Sequence, residues 1–306
     1  MENILITTSS YGKEDPAPLE LLKVAGYNVI LNPYKRKLVQ REVRDLINKH
    51  KPVGMIAGVE PLTAEVLGIA DNLKVISRCG VGVDNIDQGA ALKQQIKVLN
   101  TPTAPCQAVA ELTVSLILVS LRQIMEAAQS IRQGQWERPI GQLLSGKTVG
   151  IVGCGRIGTA VAGLLAGFDV KLIGFDAYLT EHHLIKLVTL DELITGSDII
   201  TLHLPLTESS EHIVDDNFLK SMQLGSILVN TSRGGLIDEQ ALYDNLLSGH
   251  LNGACIDTFE QEPYKGELAN LSNAILTPHI GSYTRESRIS MEKEAALNLL
   301  ETLKER

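Results

Sequence analysis

The run Gly153-Cys154-Gly155-Arg156-Ile157-Gly158 constrains this chain more than any other feature, because it lies directly between an apolar β-rich stretch, Thr148 to Val152, and a helix-like one. Three glycines at this spacing are weak evidence alone. They become specific when a strand precedes them, a helix follows and an acid stands about twenty residues on. Asp176, closing the stretch Leu172-Ile173-Gly174-Phe175, completes the set. Gly153 permits a tight turn, Gly155 lets the backbone approach a pyrophosphate, and Gly158 lets the helix pack closely on the sheet. Arg156 and Ile157 open a helix whose first N–H groups and dipole attract an anion. A carboxylate at Asp176 accepts from a ribose diol and repels a 2′-phosphate, and Ala177 and Tyr178 follow it rather than arginine, so NAD is expected over NADP.

Strand and helix patterns alternate on both sides of this point, as in parallel sheets covered by helices. The first series has strands at Asn3 to Thr8, Asn28 to Leu31, Val53 to Ala57 and Lys74 to Ser77, with a helix from Ala17 to Ala25 entered through Pro16 and Pro18 and left at Gly26. The second has strands at Lys147 to Val152, Val170 to Phe175, Asp198 to His203, Ser226 to Asn230 and Gly253 to Asp257, with helices at Arg156 to Ala166 and Glu239 to Ser248. Val109 to Arg132 reads as one long helix joining the two series, and a last helix runs from about Arg285 to Leu303. The expectation is an α/β protein of two doubly wound parallel-sheet domains with a cleft between them. A flavodoxin-like substrate domain comprises residues 1–102 plus 283–306, and a Rossmann NAD-binding domain residues 103–282.

A formal charge of -8 leaves no basic footprint for nucleic acid or an anionic membrane surface. The apolar stretch Leu112 to Leu121 is about half of what a bilayer requires. Met1 to Ser10 has no basic segment followed by a hydrophobic stretch, so nothing directs export. Four cysteines are scattered, at 79, 106, 154 and 255, which suits reduced thiols in the cytoplasm better than zinc or a disulfide framework. Small molecules are the expected partners.

Three segments at strand ends carry the candidate chemistry: Asn230-Thr231-Ser232-Arg233-Gly234-Gly235, Asp257-Thr258-Phe259-Glu260-Gln261-Glu262-Pro263 and Thr277-Pro278-His279-Ile280-Gly281. Carboxyl ends of parallel strands face the ligand crevice. A histidine there can take a hydroxyl proton, an arginine can hold a carboxylate and a developing oxo group, and a glutamate can orient the imidazole and favour its protonated form. That set suits oxidation of an alcohol beside a carboxylate without a metal. Singly, each residue has an ordinary structural alternative: a surface cation, a loop charge or a satisfied loop histidine.

Together with the cofactor loop these segments resemble the D-isomer-specific 2-hydroxyacid dehydrogenase family, over nearly the whole chain. The resemblance implies Arg233, Glu262 and His279 as catalytic residues. It implies further cofactor contacts at His203, Pro205, Thr231, Ser232, Arg233, Asp257, His279 and Gly281. Arg78-Cys79-Gly80-Val81-Gly82-Val83-Asp84-Asn85-Ile86-Asp87 resembles the family's substrate loop, with the Val81 and Gly82 amides binding the substrate carboxylate beside Arg233 and His279. Within the family, the Arg78 loop, Arg122-Gln123-Ile124 and Gly134-Gln135-Trp136-Glu137-Arg138 resemble the phosphoglycerate dehydrogenases. That points to conversion of 3-phosphoglycerate to 3-phosphohydroxypyruvate in serine biosynthesis, with Arg78 as a phosphate ligand. The likeness also implies a homodimer with Arg138 in its arm, and the end at Arg306 implies a short form without regulatory domains. Tyr283, within Ser282-Tyr283-Thr284, departs from the smaller residues usual there. A general 2-oxo acid reductase of the glyoxylate or hydroxypyruvate type is the alternative. A different class, an NAD-sensing corepressor-like binding protein, is less favoured because it usually carries added tails. A short-chain dehydrogenase is excluded by the lack of a Tyr-x-x-x-Lys pair, and an L-lactate or malate type by the position of the glycine loop.

Overall fold

The computed structural model describes residues 1–305; Arg306, the last residue of the expected substrate domain, lies outside the described residues. The chain forms two compact units, one from Met1–Pro105 with the segment that begins at Ser282, the other from Cys106–Gly281.

In the first unit β1 (Asn3–Ile6), β2 (Asn28–Leu31), β3 (Gly54–Ala57), β4 (Val75–Arg78) and β5 (Lys97–Asn100) form a parallel sheet in the order β2-β1-β3-β4-β5. Its helices are α1 (Ala17–Val24), α2 (Gln40–His50), α3 (Ala64–Leu67), α4 (Gln88–Lys93) and, from the far end of the chain, α11 (Arg285–Lys304). Alternation along each strand feeds two cores. Leu5, Met55, Ala57 and Ile76 pack on one face with Val43, Ile47 and Val66, while Ile4, Ile6, Ile56 and Val75 pack on the other with Leu22, Met291, Ala295 and Leu299. Both faces being buried, the strands read as apolar runs rather than as alternating ones. Leu299 fills the space above Gly54, where an added Cβ would meet its Cδ1 at 3.1 Å. Truncating such a buried leucine costs about 2–5 kcal/mol.

The second unit carries a seven-stranded parallel sheet of β6 (Thr148–Val152), β7 (Lys171–Phe175), β8 (Lys186–Leu187), β9 (Ile199–Leu202), β10 (Ile227–Asn230), β11 (Gly253–Ile256) and β12 (Ala274–Leu276), in the order β12-β11-β10-β9-β6-β7-β8. It is covered by α5 (Cys106–Leu121), α7 (Arg156–Leu165), α8 (Leu190–Gly196), α9 (Asp216–Ser221) and α10 (Glu239–Leu247), while α6 (Ile124–Arg132) follows α5 and is largely exposed. Local chemistry sets the helix starts. Thr189 and Glu192 close a capping box on α8, and the Asp238 carboxylate accepts from the Gln240 and Ala241 N–H groups at the head of α10. Strand order reverses between β1 and β3 in one unit and between β6 and β9 in the other, and at such switch points loops leave in opposite directions and open a crevice.

The expected single helix from Val109 to Arg132 is instead two, α5 and α6, bent by 66°. Gln123 takes the left-handed conformation with φ of 48°. The Leu121 carbonyl, which a continuing helix would use, accepts from Gln142 N–H at 2.7 Å. Gly141 lies so close that a Cβ there would be 2.6 Å from that same oxygen. Tertiary capping by a distant segment therefore outweighs the helical periodicity. Among the described residues no single helix is long and apolar enough to cross a membrane.

Candidate active site

The β6–β9 switch point holds the glycine loop. Gly153 has φ of 93°, and a Cβ there would fall 2.6 Å from the carbonyl oxygen of His203 at the exit of β9. Gly158, in the first turn of α7, stands where a Cβ would be 2.1 Å from the Gly153 oxygen, so helix and turn meet only because Gly158 lacks a side chain. Gly155, which caps α7, is different: nothing lies within 4 Å of its Cβ position. Open space over the head of a helix is the cradle that a pyrophosphate needs. Arg156 and Ile157 form the first turn beside it.

Asp176 follows β7 and turns back toward this loop. Its Oδ2 accepts from Cys154 N–H at 2.9 Å, and its Oδ1 accepts from Tyr178 N–H at 2.9 Å and Leu179 N–H at 3.2 Å. Carboxylate oxygens have further lone pairs for a ribose diol. Cys154 is buried, and burial, then the nearby Asp176 charge, push its thiol up to about 12, so it is an inert packing group. His203 hydrogen-bonds Thr201 Oγ1 at 3.0 Å through Nε2, while its buried Nδ1 has no partner among the described residues. An open cradle, a carboxylate beside it and an orphaned polar atom at one switch point fit NAD. Pro205 lies exposed just beyond His203.

Arg233, Glu262 and His279 follow β10, β11 and β12, three adjacent strands. Asn230 Nδ2 donates to the Arg233 carbonyl at 2.8 Å, its Oδ1 accepts from Ser232 N–H at 3.0 Å, and Ser232 Oγ donates to the Leu204 carbonyl at 2.7 Å. Thr231 pairs with Thr113 of α5 at 2.8 Å. Gly234 lets the next loop pass, since a Cβ there would be 1.9 Å from the Phe259 carbonyl carbon. The loops bearing Arg233 and Glu262 are thereby held backbone against backbone.

His279 Nδ1 lies 2.9 and 3.1 Å from the two carboxylate oxygens of Glu262, and both side chains are partly exposed. A carboxylate accepts, so Nδ1 carries the proton and Nε2 is left with its lone pair. His279 is left-handed, with φ of 53°. Asp257 holds that turn: its carboxylate accepts from Thr277 Oγ1 at 2.6 Å, Ile280 N–H at 2.8 Å and Gly281 N–H at 2.8 Å, and its carbonyl from His279 N–H at 2.8 Å. Burial raises the Asp257 carboxyl above its ordinary range, against these donors and the His279 ring, which favour its charged form. Asp257 thus supports the turn that carries His279. Thr113, Asn230 and Gly234 were absent from the sequence-based site, although an asparagine ending a strand before Thr-Ser-Arg is a turn signal.

The remaining expected site residues belong to the other unit. Val81 and Gly82 follow β4, and neither N–H has a hydrogen-bond partner among the described residues, while the Val81 carbonyl accepts from Asn100 Nδ2 at 2.6 Å. Arg78 is only 7% exposed, and its Nη1 turns back to the carbonyl of Cys79. The guanidinium lies against Gly80, whose φ of 143° and missing Cβ make room for it.

The family description that matches residues 114–281 is "D-isomer specific 2-hydroxyacid dehydrogenase, NAD binding domain". Hydroxypyruvate reductase of Thermotoga maritima is 43% identical over 241 residues, which cover 76% of this chain and 79% of that protein. D-3-phosphoglycerate dehydrogenase of Methanocaldococcus jannaschii is 41% identical over 82% of this chain, which spans only 49% of that relative's length. Among solved structures, the TT0316 protein of Thermus thermophilus superposes with a TM-score of 0.90 at 36% identity, covering 99% of this chain and 97% of that one. The chain belongs to the D-isomer specific 2-hydroxyacid dehydrogenase family and is an NAD-dependent member of it.

Proposed function

We propose that this enzyme interconverts a small, unphosphorylated 2-oxo acid and its D-2-hydroxy acid, with His279 as acid and base, Glu262 as its orienting partner and Arg233 as the carboxylate ligand. The observation that carries the catalytic reading is the contact of both Glu262 oxygens with His279 Nδ1, at 2.9 and 3.1 Å. With Nδ1–H donating to Glu262, Nε2 accepts the substrate hydroxyl proton as the alcohol carbon is oxidised, and returns it to the oxo group in reduction. Glu262 stabilises the imidazolium that forms between the two. Arg233, half-buried, offers a planar fork to the carboxylate and lowers the energy of charge developing on the neighbouring oxygen. The family resemblance implies the Val81 and Gly82 amides as further substrate ligands. NAD, when bound, supplies the hydride acceptor and donor.

An unphosphorylated substrate is favoured by the burial of Arg78 and its turn toward the Cys79 carbonyl. A second reading, oxidation of 3-phosphoglycerate to 3-phosphohydroxypyruvate, is favoured by the position of that guanidinium at the exit of β4, in the loop of Val81 and Gly82. Steady-state reduction by NADH of glyoxylate, hydroxypyruvate and 3-phosphohydroxypyruvate separates them, in the wild type, His279→Ala and Arg78→Ala. The expected result is a higher kcat/KM for the unphosphorylated acids and no change in that preference in Arg78→Ala. His279→Ala should lose on the order of 10²-fold or more in kcat while NADH binding stays nearly intact. A preference for the phosphorylated acid that vanishes in Arg78→Ala establishes the second reading.

A further inference from the structure

Side chains from outside the glycine loop hold two of its consecutive peptide groups. Cys154 N–H donates to Asp176 Oδ2 at 2.9 Å, which fixes the peptide between Gly153 and Cys154. In the next peptide the Cys154 carbonyl accepts from Thr159 Oγ1 at 3.2 Å. Thr159 belongs to α7, and its Oγ1 lies 3.0 Å from Nε2 of His182. His182 stands in the segment between β7 and β8, so this second tether starts well outside the loop it reaches.

The direction of the chain follows from its far end. Leu184 N–H donates to His182 Nδ1 at 3.2 Å, so Nδ1 presents a lone pair and the ring proton sits on Nε2. Burial, then the neighbouring His183, lower the His182 pKa against the pull of the Asp176 charge, which favours this neutral ring; His183 stacks on it with centroids 4.8 Å apart. Nε2–H therefore donates to Thr159 Oγ1, and the Thr159 hydroxyl passes its own proton toward the Cys154 carbonyl. In a trans peptide C=O and N–H point opposite ways. A carbonyl drawn to Thr159 turns the Gly155 N–H away from it, and that N–H has no hydrogen-bond partner among the described residues. Gly155 is the cap of α7, where the open cradle lies.

We propose that His182 is a positioning residue for the cofactor: acting through Thr159, it holds the Cys154–Gly155 peptide so that the Gly155 N–H donates to the pyrophosphate of NAD. The test is calorimetric titration with ADP-ribose and with adenosine, which has the ribose but no phosphate. Ratios of the two affinities within each variant cancel any general loss. His182→Phe keeps a stacking ring and removes the donor, Thr159→Val removes the relay, and Thr159→Ser preserves it. His182→Phe and Thr159→Val should each lower the ADP-ribose-to-adenosine ratio about three- to tenfold, the worth of one hydrogen bond, while Thr159→Ser keeps the wild-type ratio. His182→Phe combined with Thr159→Val should bind no more weakly than Thr159→Val alone, because the two residues act in series. An unmoved ratio, an equal loss for both ligands, or losses that add in the combined variant each overturn the assignment. Where Thr159→Val does not fold, His182→Phe decides, and a wild-type ratio there overturns it equally.

Discussion

His203 shows how one partly buried ring couples the second unit to pH. Burial pushes its pKa down to about 3, from an ordinary 6.5 in the unfolded chain. Between those values the unfolded state binds a proton that the native state refuses, so stability rises with pH and is lost as pH falls from 6.5 toward 3. Asp257 acts with the opposite sign: its raised pKa gives stability that is present below the unfolded carboxyl value and lost as pH rises through the folded one. Thermal melts from pH 7 to pH 4 should show a falling Tm, with a His203 contribution of up to about 1.4 kcal/mol per pH unit. His203→Gln should flatten that fall, and an unaltered slope in the variant would refute the attribution. The strands leading to Arg233 and Glu262 were legible in sequence because each is an apolar run, at Ser226 to Asn230 and Gly253 to Asp257. The contact of Thr7 with Glu60 was not, since it joins residues 53 apart through a strand order that periodicity does not encode.

At the level of elements, the glycine loop makes a prediction that separates folding from binding. Gly155 has ordinary backbone angles, φ of -71° and ψ of -157°, and open space at its Cβ position, unlike Gly153 and Gly158. Gly155→Ala should therefore leave Tm within about 2 °C of the wild type, as a surface change does. NADH affinity, read by fluorescence titration, should fall about tenfold or more because the methyl group occupies the pyrophosphate cradle. A variant that binds NADH normally would remove Gly155 from the site. The same loop was fully legible, as was β2, whose observed bounds coincide with the expected Asn28 to Leu31. Strands β5, β8 and β12 were not foreseen. All three are incompletely buried edge strands, β8 and β12 only two and three residues long, and β5 begins and ends on the polar Lys97 and Asn100. The break between α5 and α6 was invisible for a different reason: its cause, Gln142 capping Leu121, lies well downstream in the chain.

On the scale of the whole molecule, the segment after α5 leaves large apolar side chains in water. Ile131, Trp136, Ile140 and Leu143 are 54%, 80%, 92% and 74% exposed, more than a monomer ordinarily tolerates in one stretch. A second copy of the chain is the expected cover, in keeping with the dimer that the family resemblance implies. Light scattering at micromolar concentration should give twice the chain mass, and Trp136→Ser combined with Ile140→Ser should shift it toward the monomer. A wild type that is monomeric at that concentration contradicts this.

The placement of α11 also bears on the order in which the chain can fold during synthesis. One face of the first sheet, with Ile4, Ile6, Ile56 and Val75, is completed by Met291, Ala295 and Leu299, which the ribosome adds only after the whole of the second unit. The second unit is continuous in sequence and can close its core while it emerges, whereas the first must wait with an uncovered apolar face until α11 arrives. The earliest strands made are thus among the last to be sheltered, which makes the nascent amino-terminal sheet the part of this protein that a chaperone has most reason to hold.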